Sequence, residues 1–273
     1  MSNSSLSLNS REAQNASLWD SFRIQRRVLG ALFMRETLTR YGRHNIGFLW
    51  LFAEPMIFTL GVAILWNLMG AHKGEGITIT AFVLTGYSTI LLWRNMPGRC
   101  VNALQPNYSL LFHRQVKPLD IFATRIFLEG IGATTSFVIL TIVFHALDLV
   151  PLPHNYIILW AAWLLLAWYA AGLSLILGAL GEQSEIVDKL WHPAQYLLIP
   201  LSGSFFMVAA LPPALQGIVM FIPTVHCAEM FRAGYFGPGH IWHYDVLYVV
   251  TINMILTLLG LSMVRGLRIS PTS

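Results

Sequence analysis

Long apolar runs alternate with short polar stretches along the whole chain of 273 residues. A helix of about 20 apolar residues crosses the roughly 30 Å hydrocarbon core of a bilayer, so each long run predicts a transmembrane helix. Six runs meet this length, and they predict spans at 48–69, 77–96, 121–147, 156–180, 193–211 and 244–264. The pattern therefore predicts an all-α polytopic membrane protein.

The segment 17–43, before the first span, has a different pattern, that of an amphipathic helix. On a helical wheel its apolar residues share one arc, and they are Phe22, Ile24, Val28, Leu29, Leu32 and Phe33. Three basic residues occupy the opposite arc, namely Arg23, Arg26 and Arg27. Such a helix lies in the membrane interface. We therefore divide the chain into a cytoplasmic tail with an interface helix at 1–45 and a six-helix transmembrane domain at 46–273.

The second half of this segment breaks the amphipathic pattern. Arg35, Glu36 and Arg40 project toward the arc that was apolar. Either the helix bends, or this arc leaves the lipid and faces a protein partner. A solvated continuation of a surface helix is the plainer alternative.

A second irregularity precedes the last span, where two prolines follow Leu211. The apolar stretch 214–222, about nine residues long and followed by Pro223, is roughly half as long as a spanning helix. It is also too apolar for an ordinary loop. We expect a re-entrant hairpin whose second arm is 225–233, because irregular backbone is tolerated at membrane depth only where protein or a water-filled cavity surrounds it.

Charge places the spans in the membrane. Only 11% of the residues are charged, against about 25% in soluble domains, and the mean hydropathy is +0.60. Fifteen of the 17 Lys and Arg residues fall on the side of the predicted bundle that carries both termini. By the positive-inside rule, both termini are cytoplasmic. The net charge of +4 does not indicate a nucleic-acid partner, since the basic residues flank apolar spans.

Motifs of catalysis are absent from the sequence. It contains no G-x-x-x-x-G-K-[ST] phosphate loop, no H-E-x-x-H pair and no G-x-S-x-G elbow. If ATP drives this protein, a separate polypeptide hydrolyses it, and we expect no enzyme activity and no bound cofactor or metal in this chain. Cys100 and Cys227 fall on opposite sides of the predicted membrane, so they are not expected to form a disulfide.

Three blocks carry a family resemblance. The first, at 32–55, reads LF-RE--TRYGR---G-LW---EP; the second, at 107–129, is NYSLLFHRQVKPLDIFATRIFLE; the third, at 222–235, is IPTVHCAEMFRAGY. They resemble the membrane subunits of ABC-type polysaccharide exporters, and most closely the capsular polysaccharide export permeases. The blocks lie near the start, middle and end, so the similarity covers nearly the whole chain.

The resemblance implies a homodimer in the bacterial inner membrane, with two copies of an ATPase subunit that bind ATP and Mg. The substrate would be a lipid-linked polysaccharide, delivered to periplasmic and outer-membrane export partners. An O-antigen or teichoic-acid exporter is an alternative within the same class. A membrane enzyme of glycan modification is an alternative from another class, although histidines and carboxylates do not converge at one membrane face.

Three sets of residues are candidates for function. Charged residues near the cytoplasmic face are expected to couple the chain to the ATPase, and they are Arg35, Glu36, Arg40, Arg43, Lys117, Asp120, Glu182 and Glu185. Aromatic residues within or near the spans could contact a sliding glycan or pack against helices and lipid, and they are Trp66, Tyr87, Trp160, Trp168, Tyr169, Phe205 and Phe206. The resemblance implies that a polar block lies at the outer mouth of the channel, comprising Pro223, His226, Glu229 and Arg232, and a purely structural outer cap is the alternative.

Overall fold

The computed structural model describes residues 18–41, 46–68, 77–111 and 116–267, and within them the chain is helical with no strand. The helices are α1 (Leu18–Tyr41), α2 (Ile46–Leu68), α3 (Ile79–Cys100), α4 (Tyr108–Leu111), α5 (Pro118–Ala146), α6 (Tyr156–Gln183), α7 (Glu185–Leu198), α8 (Pro213–Val219), α9 (Pro223–Phe236) and α10 (Val246–Arg265). The predicted all-α class is confirmed.

Short polar residues set where the long helices begin. The side chain of Asn155 accepts hydrogen bonds from the N–H groups of Ile157 and Ile158 at the start of α6. Thr78 caps α3, Ser184 caps α7 and Asp245 caps α10 in the same way. The first N–H groups of a helix have no partner inside it, so these caps define the helix ends that the apolar runs alone leave open.

Three helices, α5, α6 and α10, are long and apolar enough to cross a bilayer. They coincide with the predicted third, fourth and last spans. The helices α2 and α3, with 23 and 22 residues, coincide with the first two predicted spans and have sufficient length to cross. The count of six spans stays a prediction.

The predicted fifth span, 193–211, is not one continuous helix. Instead α7 begins at Glu185, before the predicted start of that span, and it ends at Leu198. Pro200 has no backbone N–H and restricts the residue before it, and Gly203 adopts a left-handed φ of +80°. These two residues stop the helix and leave 199–207 in an irregular conformation, which the apolar run did not indicate.

The segment of the predicted hairpin folds as two short helices, α8 and α9. Pro213 and Pro223 each stand in the first turn, where the missing N–H has no cost. The axes of α8 and α9 differ by 106°. The second arm is longer than the predicted 225–233, since α9 extends to Phe236, and its residues from Thr224 to Tyr235 are all buried. The re-entrant placement of this segment in the membrane stays a prediction.

Helix α6 lies at the centre of the bundle and packs against α3, α9 and α10. Three rings form the middle of the core: Phe137, Trp163 and Phe231, with centroids between 5.1 and 5.4 Å apart. The Trp163 indole donates a hydrogen bond of 2.9 Å to the Thr134 hydroxyl, so its one polar atom is satisfied. A rigid aromatic core thus holds the helices that carry the candidate sites.

Close helix contact depends on glycine at two positions. A Cβ at Gly234 of α9 would lie 2.5 Å from the backbone nitrogen of Leu159 in α6. A Cβ at Gly178 of α6 would lie 2.6 Å from the Phe122 ring. Both distances are shorter than real contacts allow, so the helices approach as they do only because these residues have no side chain.

Candidate coupling surface and transport path

Two charged residues of α1 are bound within the chain. Glu36 forms an ion pair with Arg125 of α5, with Oε1 2.8 Å from Nε. Arg35 donates a hydrogen bond of 2.7 Å from Nη1 to Oδ1 of Asn107. The arc that breaks the amphipathic pattern therefore faces protein, and the protein it faces includes this chain's own α5 and the turn before α4.

Arg125 extends this contact into a polar network. Its Nη1 donates to the backbone carbonyl of Arg99 at 2.6 Å, and Arg99 Nε lies 3.5 Å from the Glu129 carboxylate. Together with Thr39 and Leu128, these charged side chains line a cavity of 210 Å³ between α1, α3 and α5. Arg99 of α3 therefore links Arg125 and Glu129, which lie four residues apart on α5.

The other candidate coupling residues divide by exposure. Asp120 is buried and accepts hydrogen bonds from the backbone N–H of Lys117 at 2.9 Å and from the Gln25 amide of α1. Glu182 accepts a hydrogen bond from the Tyr108 hydroxyl. By contrast, Lys117 is exposed, and Glu185 is exposed and forms an ion pair of 3.8 Å with Lys189. Asp120 and Glu182 therefore stabilise the surface through hydrogen bonds, whereas Lys117 and Glu185 are exposed and available to a partner.

Arg40 and Arg43 complete the predicted coupling set. Arg40 lies in the last turn of α1, whereas Arg43 lies outside the described residues. The assignment of this whole set to ATPase coupling stays a prediction.

The aromatic candidates fall into two groups, and the first surrounds the irregular segment 199–207. The ring of Trp66 in α2 lies 6.2 Å from Phe82 of α3 and 6.2 Å from Phe205. Tyr87, one turn further along α3, stacks on Phe58 of α2 at 4.3 Å. These rings bridge α2, α3 and the irregular segment, and a role in the glycan path stays a prediction for them.

The second group packs within the bundle. Trp160 meets Phe137 edge to face at 6.4 Å, and the Trp168 indole donates a hydrogen bond of 2.9 Å to Thr257 of α10. Tyr169 is half-buried beside the core of α6, and Phe206 is half-buried against the apolar cluster under the hairpin. Helix packing accounts for the contacts of these four side chains, and a role in the glycan path stays a prediction.

The polar block of α9 faces inward. Arg232 is 1% exposed and donates hydrogen bonds to the carbonyls of Gly203, Ser204 and Phe206. Glu229 is fully buried, and its two carboxylate oxygens each accept a backbone N–H at 3.1 Å, one from Val208 and one from His243. The side chains of Arg232 and Glu229 therefore hold the backbone of 203–208 and of His243 against α9.

His226 and Pro223 complete the block. The His226 ring contacts the Met220 carbonyl at 2.7 Å through Nε2 and accepts the Asp245 N–H at 2.9 Å through Nδ1. The ring thus joins the turn between α8 and α9 to the start of α10. Pro223 is the first residue of α9. A position at the mouth of a channel stays a prediction for this block.

Sequence reasoning missed several residues of these sites. Phe82, Gly86, Arg99 and Asn107 act only through contacts with distant segments, and no local pattern marks them. Arg99 carried a partial signal, because it is a cation in the polar loop that follows the second predicted span.

Apolar helices long enough to cross a bilayer define the class of polytopic membrane proteins. The chain belongs to the ABC-2 type transporter family, whose profile matches residues 27–236. The chain is 43% identical over 248 residues, 91% of its length and 94% of the relative's, to the capsule polysaccharide export inner-membrane protein CtrC of Neisseria meningitidis serogroup B. The predicted resemblance is confirmed.

Two further relatives extend the comparison. The capsule polysaccharide export inner-membrane protein BexB of Haemophilus influenzae is 40% identical over 246 residues, which cover 90% of this chain and 93% of the relative. The polysialic acid transport protein KpsM of Escherichia coli is 26% identical over 249 residues, covering 89% and 95%.

Proposed function

We propose that this chain is the transmembrane subunit of an ATP-driven ABC exporter that moves a lipid-linked, capsular-type polysaccharide outward across the bacterial inner membrane. The observation that carries the proposal is the identity of 40–43% over at least nine-tenths of the chain to proteins named for capsule polysaccharide export. A similarity over this much of the chain includes all three candidate sites. It therefore supports a common function of these sites in export.

The energy for export would come from a separate ATPase, which binds ATP and Mg. The chain has no phosphate-binding loop, and it belongs to an ABC family. In the proposed assembly two ATPase copies act on two copies of this chain. Exposed Lys117 and Glu185 would contact the ATPase, while Glu36 and Arg125 would hold the contacted surface together.

The proposed homodimer is supported by an apolar face that the described part of the chain leaves open. Along α7 three apolar side chains are largely exposed, namely Ile186, Leu190 and Leu197. Apolar side chains exposed together on one helix fit either lipid or a second subunit. A homodimer along α7 would bury this apolar face between the two copies.

The proposed mechanism transmits motion through packed helices. A push from the ATPase on α1 would reach α5 through the Glu36–Arg125 pair, and α5 packs on α6 at the bundle centre. Rigid helices shift as bodies and do not deform continuously. Movement of the spans would then open the path for the glycan toward its periplasmic and outer-membrane partners.

The test is deletion of the gene in its native strain, followed by measurement of surface polysaccharide and of polysaccharide retained inside the cell. We expect loss from the surface, retention inside, and recovery of both by the intact gene. An affinity-tagged chain should also copurify with an ATPase subunit. Normal surface polysaccharide in the deletion strain would contradict the proposed function.

A further inference from the structure

The irregular segment 199–207 places backbone carbonyls inside a membrane protein, where each needs a hydrogen-bond donor. Arg232 of α9 supplies donors for three of them. Its Nη1 binds the carbonyls of Gly203 at 2.7 Å and Phe206 at 2.6 Å, and its Nη2 binds that of Ser204. One side chain therefore fixes the turn on both sides of Phe205.

The same guanidinium contacts the aromatic cluster directly. Its central carbon lies 4.1 Å from the centre of the Phe82 ring, a distance suited to a cation–π interaction. Arg232 is 1% exposed, and the buried Glu229 carboxylate attracts it electrostatically. The guanidinium thus has one position, determined by carbonyls, ring and carboxylate together.

Gly86 of α3 lets the turn approach this closely. A Cβ at Gly86 would lie 2.2 Å from the carbonyl oxygen of Ser204 and 3.1 Å from Nη2 of Arg232. One turn further along α3, the Thr89 hydroxyl lies 3.2 Å from the Ser204 hydroxyl. The turn is therefore pressed against α3, and Arg232 contacts both the turn and α3.

Phe205 projects from this fixed turn. It is 37% exposed, and its ring lies 6.2 Å from Trp66, which in turn lies 6.2 Å from Phe82. Arg232 contacts Phe82 and the backbone on either side of Phe205. It therefore sets the position of both rings that meet Trp66.

We propose that Arg232 is a positioning residue for export, which holds Trp66, Phe82 and Phe205 together as one preformed surface for the sugar rings of the glycan. We name these three rings the aromatic platform. The proposal rests on the proposed function for its ligand. Aromatic faces carry partial negative charge, so they attract the C–H faces of pyranose rings without requiring one pattern of hydroxyls.

The positioning role can be tested without any glycan. A Trp66→Cys, Phe205→Cys double variant is treated with a short bifunctional maleimide, since the native cysteines are buried. We expect cross-linking when Arg232 and Gly86 are intact. We expect its loss with Arg232→Lys, which keeps the charge but not the planar fork, and with Gly86→Ala, which displaces the Ser204 carbonyl.

The matched control is Gly61→Ala, because a Cβ at Gly61 meets no atom within 4 Å. This variant should cross-link as the parent does. Gly86→Ala leaves Arg232 itself intact, so the test holds even if Arg232→Lys fails to fold. Cross-linking that persists in both the Arg232→Lys and the Gly86→Ala backgrounds would overturn the proposal.

The second arm measures the ligand. The chain and its ATPase subunit are purified in nanodiscs, and lipid-linked glycan extracted from the native strain is titrated against ATP turnover. Phe205→Ala should raise the glycan concentration for half-maximal stimulation roughly tenfold, equivalent to about 1.4 kcal/mol. Arg232→Lys should do the same, and the double variant should be no worse than either single variant.

This non-additivity separates positioning from general destabilisation, whose effect would add to that of Phe205→Ala. Additive effects would overturn the aromatic platform. If the intact complex does not respond to glycan while the cross-links behave as expected, the proposed function fails and the platform's ligand with it. The placement of Phe205 by Arg232 would then still stand.

Discussion

Glu36 of α1 and Arg125 near the start of α5 form an ion pair, with Oε1 2.8 Å from Nε. The side chains are only 25% and 14% exposed, so solvent screens their attraction weakly. The pair joins a helix at the edge of the bundle to a helix long enough to span the membrane. The pair therefore gives α1 and α5 a direct electrostatic contact.

The first prediction reverses one charge of this pair. Glu36→Lys should abolish export while the protein still inserts at its normal level. The substitution places a second cation beside Arg125, so attraction becomes repulsion. We expect the α1–α5 contact to lose about 1–3 kcal/mol of stabilising free energy, a value between those of an exposed and a buried ion pair. Surface glycan and copurification of the ATPase are the measurements.

A reciprocal variant serves as the control for the first prediction. Glu36→Arg combined with Arg125→Glu should recover export, since the pair is restored with its charges exchanged. If α1 only anchored the chain to anionic lipid, an added basic residue would help binding by about 1 kcal/mol. Normal ATPase binding with normal surface glycan in Glu36→Lys would refute the coupling role.

The second prediction concerns topology. A cysteine at Gly239, an exposed position where a Cβ would meet no atom within 4 Å, should react with an impermeant thiol reagent from the periplasm. Gly237 suits this test less well, because it is buried and has a φ of +79°. A cysteine at Lys189 should react only from the cytoplasm. Labelling of position 239 from the cytoplasmic side alone would contradict the predicted orientation.

The third prediction concerns the buried carboxylate of Glu229. Glu229→Gln leaves one acceptor oxygen for two N–H donors, those of Val208 and His243, and turns an amide N–H₂ toward the other. We expect the free energy of unfolding to fall by about 1–3 kcal/mol. Thermal unfolding in detergent is the measurement. Glu185→Gln, at a side chain that is 81% exposed, is the control, and equal stability of the two variants would be the contrary result.

The fourth prediction tests the close contact of α9 with α6. Gly234→Ala puts a methyl group 2.5 Å from the nitrogen of Leu159, so the backbones must separate. Overpacking of this kind costs about 1–3 kcal/mol of unfolding free energy. Gly30→Ala in α1, where a Cβ meets nothing within 4 Å, should be neutral or slightly stabilising. The contact is less restrictive than described if both variants unfold alike.

The fifth prediction separates the two aromatic groups. Trp168→Phe removes the hydrogen bond to Thr257 and should lower stability by about 1 kcal/mol while export per folded molecule is retained. Phe205→Ala should lose export with little change in stability, because Phe205 is partly exposed. Export is measured as surface glycan divided by the amount of folded protein. The reverse pattern would show that Phe205 serves only packing.

Much of the helical framework could be predicted from the sequence, because membrane length sets the size of each apolar run. The runs at 121–147, 156–180 and 244–264 closely match helices α5, α6 and α10. The prediction of a continuous helix at 193–211 was wrong, because Pro200 and Gly203 interrupt the helix without lowering the hydropathy of the run. Residues buried in lipid and residues buried in protein are both apolar. Composition therefore does not distinguish a transmembrane helix from an irregular segment that is packed inside the protein.

The candidate sites were predicted as residues and not as contacts. Sequence reasoning selected Glu36 for its direction on the helix, but its partner Arg125 lies on another element. It selected Arg232 because a cation in an apolar segment is unusual, yet the three carbonyls that bind it come from the irregular turn. Such partners depend on how the helices assemble, and a single sequence does not encode that in any local pattern.

The polar contacts of α1 have a consequence for protein engineering. Gln25, Arg35 and Glu36 each bind a residue outside α1, and those residues are Asp120, Asn107 and Arg125. A chimera that takes α1 from a relative would separate each donor from its acceptor unless the recipient already has the same three side chains. Helix α1 and the stretch from Asn107 to Arg125 therefore depend on each other's side chains. Domain exchange within the family should transfer the two segments together.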